Sequence, residues 1–122
     1  MVEPGNEIVA LLIAALHANA DGEGPDELLG LLAPEPVVED TLSLPGEVLR
    51  FAGEVGVVEW LARLPAGIGF TAGNIRGGEG ALLADFTTDR PVKWAGTLAL
   101  VLDGEGRIRT LRITARQPAP AA

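Results

Sequence analysis

The chain is 122 residues long, 48% hydrophobic and 21% charged, with a net charge of −8. That is the size and composition of one globular domain, and it excludes a long disordered chain; with no cysteine, it also excludes a disulfide-stapled scaffold and a zinc–thiolate site. Seventeen acids against nine bases argue against a nucleic-acid partner, because displacing counterions from a phosphate backbone needs Lys and Arg.

The charge is unevenly spread. Residues 1–60 carry a net of −11 and residues 61–122 a net of +3. The first predicted element is a helix from about Asn6 to Asn19, with Asn6 as N-cap and Glu7 in the first turn. Ile8, Val9, Leu12, Ile13, Ala15 and Leu16 form its apolar stripe. The apolar run Ile8–Leu16 has nine residues, well short of the ~20 that cross a bilayer. The leader Met1–Glu7 carries two acids and no base, the wrong sign for a signal peptide. The expectation is a mature helix in a cytoplasmic protein. His17 falls with Glu7, Ala10, Ala14 and Asp21 on the polar side, where a surface residue is expected.

Asp21-Gly22-Glu23-Gly24 stops this helix, and Pro25 suits the first position of a second one, Asp26 to Leu32. A short strand is predicted at Val37–Thr41 and another near Val48–Phe51. A third helix follows from Glu54 to Leu64, with Val57, Trp60, Leu61 and Leu64 on one side. From Phe70 the hydrophobic period changes to two. Strands are predicted at Phe70–Arg76, Ala81–Thr88, Val92–Leu102 and Arg107–Arg116, with turns at Gly77-Gly78 and Asp103-Gly104-Glu105-Gly106. The tail Gln117–Ala122 should fray. The whole chain, 1–122, reads as a single domain with its core in 6–116. The fold class is α+β, with three helices packed in the concave face of a curved antiparallel sheet.

Strand parity sorts the sheet faces. Leu82, Ala84 and Phe86, then Trp94, Leu98 and Leu100, then Leu111 and Ile113 should line the concave side. Ala95, Thr97, Ala99 and Val101, flanked by Arg112 and Arg116, should be convex. That apolar centre with a charged rim is the pattern of a homodimer contact.

Two stretches carry a family resemblance. One runs from Glu27-Leu28-Leu29 through Ala33 into Val37-Val38-Glu39-Asp40, the other is the hairpin Leu102 to Leu111. With the element order, they resemble the nuclear transport factor 2-like superfamily, its SnoaL-like and ketosteroid-isomerase-like branch, over about residues 6 to 116. The resemblance implies a cone-shaped α+β barrel and a homodimer paired through the convex sheet face. It also places Asp40 at the general-base position. The chain departs from that pattern at the oxyanion donors. It has no Tyr at all, Leu98 stands where a protonated Asp is implied, and Leu16 lies near the helix position of the donor Tyr. Losing one such donor costs about 10²–10³ in rate, so a steroid isomerase of the usual kind is not expected. The Asp-Arg-Asp set of limonene epoxide hydrolases finds no match.

The candidate site is therefore Asp40 facing a hydrocarbon hollow that admits a small hydrophobic molecule. The lining would be Trp60, Leu82, Phe86, Trp94, Leu98, Leu111 and Ile113, with Asn74. Asp40 is read either as the base of a proton transfer beside a carbonyl, or as a cap or salt-bridge partner of the following loop. Glu39 should point the other way and be exposed. Hydrogen-bond donors to a substrate oxygen would be the Trp94 indole and the Asn74 amide; Trp94 is otherwise a core aromatic, as is Trp60. Asp85 reads as convex and Asp103 as a turn residue. Gly77-Gly78-Glu79-Gly80 lacks the Lys and the following helix of a phosphate loop. No cofactor and no metal cluster is expected. Two functions stay open: a proton-transferring isomerase or cyclase, and a non-catalytic ligand-binding or dimerisation module.

Overall fold

The computed structural model describes residues 4–41, 48–64, 68–78, 80–89 and 94–116. In chain order the elements are α1 (Pro4–Ala20), α2 (Asp26–Leu29), β1 (Leu32–Asp40), β2 (Leu49–Ala52), α3 (Gly53–Arg63), β3 (Phe70–Gly78), β4 (Ala81–Thr88), β5 (Ala95–Leu102) and β6 (Ile108–Arg116). The strands form one sheet in the order β2-β1-β6-β5-β4-β3, open at β2 and β3. The α+β class and the packing of the helices on one face agree with the sequence. Among the described residues no helix is long and apolar enough to cross a membrane.

Several local expectations are corrected. Asn6 lies inside the first turn of α1, which begins at Pro4. The second helix ends at Leu29 instead of Leu32, because the next residues are taken by the sheet. The Leu31 carbonyl accepts a hydrogen bond from Ile108 N–H at 2.9 Å, and Leu32 pairs with Ile108. That pairing also makes the sheet mixed where an antiparallel one was expected. β1 runs parallel to β6; the long excursion through α3 and the meander brings the chain back alongside β1 in the same direction, as a parallel pair requires. β1 itself begins five residues earlier than predicted, with a register shift between Leu32 and Val37. Val92 and Lys93, predicted as the start of a strand, and the tail 117–122 lie outside the described residues.

The ladders set side chains in rows across the sheet. On the inner face one row runs Leu82, Leu100, Leu111, Val38, Phe51, and the next runs Ala84, Leu98, Ile113, Asp40, Leu49. All of the first five are apolar. In the second, Asp40 is the single polar side chain. α3 covers this face with Val57, Trp60 and Leu61, and α1 covers it with Val9, Leu12 and Leu16, all buried. The outer face carries Leu83, Ala99, Arg112, Glu39 and Arg50 in one row. Its alternation of charges supplies cross-strand pairing at the surface.

The β5–β6 hairpin turn is held by Asp103, as the sequence predicts. Its Oδ1 accepts from the backbone N–H of Glu105 and of Arg107, each at 2.9 Å. The Arg107 N–H foremost, with that of Glu105 and the nearby guanidinium charges, holds the Asp103 carboxyl below the usual carboxylate range. A depressed carboxyl contributes stability that is present above the unfolded-state value and is lost as pH falls through the folded one. The advantage of the parent chain over Asp103→Asn should therefore be present at neutral pH and shrink below about pH 4. Urea midpoints of both proteins at pH 7 and pH 3 check this; a difference that stays constant contradicts it.

Candidate functional site

Asp40 is the last residue of β1, and the alternation of that strand turns its side chain inward. There it has no exposed surface. Trp60, one turn from the end of α3, is equally sealed. Its indole Nε1–H donates to Asp40 Oδ2 at 2.8 Å. The inner side of α3 packs on β1, so the helix sets the indole directly over the carboxylate. Glu39 points the opposite way, as expected, but is half-buried instead of exposed. Its Oε1 accepts from Arg112 Nη2 at 2.8 Å and Nε at 3.1 Å.

The residues predicted to line an open hollow around Asp40 form packed core. Leu98 and Ile113, its row neighbours, show 0% exposure, Leu111 1% and Phe86 2%. Leu98 and Ile113, with no accessible surface, leave no water-sized space beside them. The physical reason is volume: in the space between sheet and helices, Leu98, Leu111, Ile113, Phe86 and Trp60 fill what a polar pocket would leave open. Leu82 and Trp94 are half-buried and pack at the margin of the same core. Asn74 is corrected outright. A bulge between Gly73 and Arg76 and a positive φ of 49° turn it to the outer face. Its Nδ2 donates there to Asp85 Oδ2 at 2.8 Å, beside Arg76 Nη1, which donates to Asp85 Oδ1 at 3.2 Å. Asn74 therefore offers nothing to Asp40.

A different place is open. α1 lies along the free edge of β3, and between them is a cleft of about 400 Å³. Its walls include Ala10, Ile13 and Ala14 of α1 and Phe70, Thr71 and Ala72 of β3. His17, expected at the surface, is half-buried in this cleft. Its Nε2 accepts from the Phe70 backbone N–H at 2.9 Å. An edge strand presents unpaired amides to solvent, and the imidazole covers one of them. The sequence held one usable signal for this cleft: Ala10 and Ala14 precede His17 on one side of α1, and small side chains on a helix face leave room beside it.

Among the described residues there is no group of three or more His, Cys, Asp or Glu able to hold a metal ion.

No family model matches the chain and no curated protein matches it. Solved structures do. A SnoaL-like protein of unknown function from Burkholderia thailandensis superposes with a TM-score of 0.75 at 11% identity, over 96% of this chain and 99% of that one. SalBIII, an epoxide hydrolase/cyclase-like enzyme with a role in pyran ring formation in the polyether salinomycin, gives a TM-score of 0.74 at 17% identity, over 92% and 90%. A protein with a ketosteroid isomerase-like fold from Catenulispora acidiphila, in complex with trimethylamine, gives 0.71 at 19% identity, over 88% and 84%. The fold is that of the SnoaL-like, NTF2-like and ketosteroid-isomerase-like proteins.

Proposed function

We propose that this chain is a binding module for a small, neutral, apolar molecule, and that the α1–β3 cleft receives it. The observation that carries this reading is the cleft itself: about 400 Å³, within the usual range of small-molecule sites of roughly 300–1,000 Å³. Its walls are largely hydrocarbon, with the His17 ring set among them. None of the wall residues named above carries a carboxylate, a guanidinium or an ammonium, so an ion entering the cleft would lose hydration without gaining a countercharge. Apolar burial drives binding in such a place.

Ethylbenzene is a suitable probe, titrated at millimolar concentration into 15N-labelled protein. The amides of Ala10, Ala14 and Ala72 should shift in a saturable way. Ala14→Phe puts an aromatic ring into the cleft from an exposed position on α1 and should abolish the shifts without lowering the urea midpoint. Shifts that persist in Ala14→Phe, or that never appear in the parent, reject the cleft.

A second reading is proton transfer at Asp40, and one observation favours it. A carboxylate kept at zero exposure in an apolar core is expensive, and here an indole N–H orients it. On this reading a carbonyl or epoxide substrate reaches Asp40 when the packing over it opens. The parent chain and Asp40→Asn, assayed on panels of enones and epoxides, separate the two readings. Turnover lost in the variant supports chemistry at Asp40. Equal turnover in both proteins, or none in either, leaves the binding module.

A further inference from the structure

Which nitrogen of His17 is occupied determines what the cleft offers. A neutral imidazole has one N–H donor and one bare acceptor nitrogen. Nε2 is the acceptor, because it takes the Phe70 backbone N–H at 2.9 Å. The ring proton is therefore on Nδ1. The bond to Phe70 also locks the ring plane, so Nδ1–H is a donor held in one orientation on a half-buried ring. The same bond fixes which backbone groups of β3 face α1. Groups of alternate residues point to the same side of a strand. With the Phe70 N–H turned toward α1, the N–H and C=O of Ala72 are turned that way too, along the cleft wall.

We propose that His17 Nδ1–H is the hydrogen-bond donor of this cleft, and that its ligand is a small neutral molecule, mostly hydrocarbon, carrying one acceptor oxygen such as a ketone carbonyl. The proposal rests on the cleft being the binding site. The walls take the hydrocarbon, and the fixed ring donor selects for an oxygen at the His17 end. A ligand that only donates has no partner on the ring, since both ring nitrogens are committed, one as acceptor to Phe70 and one as donor.

The test compares acetophenone with ethylbenzene, molecules of nearly equal shape that differ in the carbonyl oxygen. A net hydrogen bond of ordinary strength makes the ketone bind about tenfold more tightly to the parent chain. In His17→Leu the ratio of ketone to ethylbenzene affinity should fall from about ten to about one. Two-bond 1H–15N correlations on the parent protein should show His17 protonated at Nδ1, a readout that needs no variant. If neither compound shifts the amides of Ala10, Ala14 and Ala72, the cleft itself is rejected. If both bind equally well, or if the ring proton is on Nε2, the cleft stands and the donor assignment is overturned.

Discussion

Trp60→Phe should lower the stability of the fold by about 2–4 kcal/mol, and Asp40→Leu placed in the same chain should restore most of it. The loss has two parts. Removing the indole N–H takes a hydrogen-bond partner from one oxygen of a carboxylate with no exposed surface. Depriving a buried acceptor of a partner costs about 1–3 kcal/mol, and more when it is charged. Shrinking the indole to a phenyl ring also leaves a small void in the core, worth about 1 kcal/mol. Recovery in the double variant follows because replacing a whole buried polar pair by apolar side chains is often neutral or stabilising. Urea midpoints of the parent, both single variants and the double variant complete the cycle. A Trp60→Phe midpoint equal to the parent would show that the indole bond contributes nothing. The double variant separates the readings of Asp40. If it is as stable as the parent, the pair is not kept for stability, and a chemical role for the carboxylate gains weight. If it is much less stable, the pair is structural.

The sheet faces were legible because parity needs only the hydrophobic alternation and a turn. Leu82, Ala84 and Phe86 fall inside while Leu83 and Asp85 fall outside, as the alternation requires. Other features depend on partners far along the chain. The parallel pairing of β1 with β6 joins residues some seventy positions apart, and nothing in Val37-Val38-Glu39-Asp40 announces it. The truncation of α2 follows from the same pairing, since Leu31 and Leu32 read equally well as helix or as strand until Ile108 claims them. His17 was misplaced because a helical wheel records which residues share a face and not which strand lies beside it. Asn74 was misplaced because a bulge reverses parity, and a positive φ at a non-glycine residue leaves no mark in the hydrophobic pattern. Periodicity placed the indole on the inner side of α3, whereas the acid at the end of β1 was singled out by the family resemblance, parity adding only that Glu39 points the other way. Their direct bond depends on how α3 lies over β1, which is a matter of packing.

Packing also explains why Asp40 has no exposed surface, and one side chain tests the explanation. Leu98 sits in the same row as Ile113 and Asp40 with 0% exposure. It stands at the position where the family resemblance implies a polar oxyanion donor, so an isobutyl group fills space that would otherwise be lined by a hydrogen-bonding side chain. Leu98→Ala should cost about 2–5 kcal/mol, the range for emptying a leucine site in a packed core. The cavity it leaves should be bounded by hydrocarbon from Ile113 and Ala84, its row neighbours, and cavities of that kind stay dry and accept benzene. Benzene at a hundred times its dissociation constant should then return about 2.7 kcal/mol to the variant. The ligand-induced rise in midpoint should be much larger for the variant than for the parent. A variant that loses stability but does not respond to benzene would mean that α1 and α3 collapse into the gap. In that case the sheet can close its own interior without Leu98, and Asp40 stays out of reach whatever occupies that position.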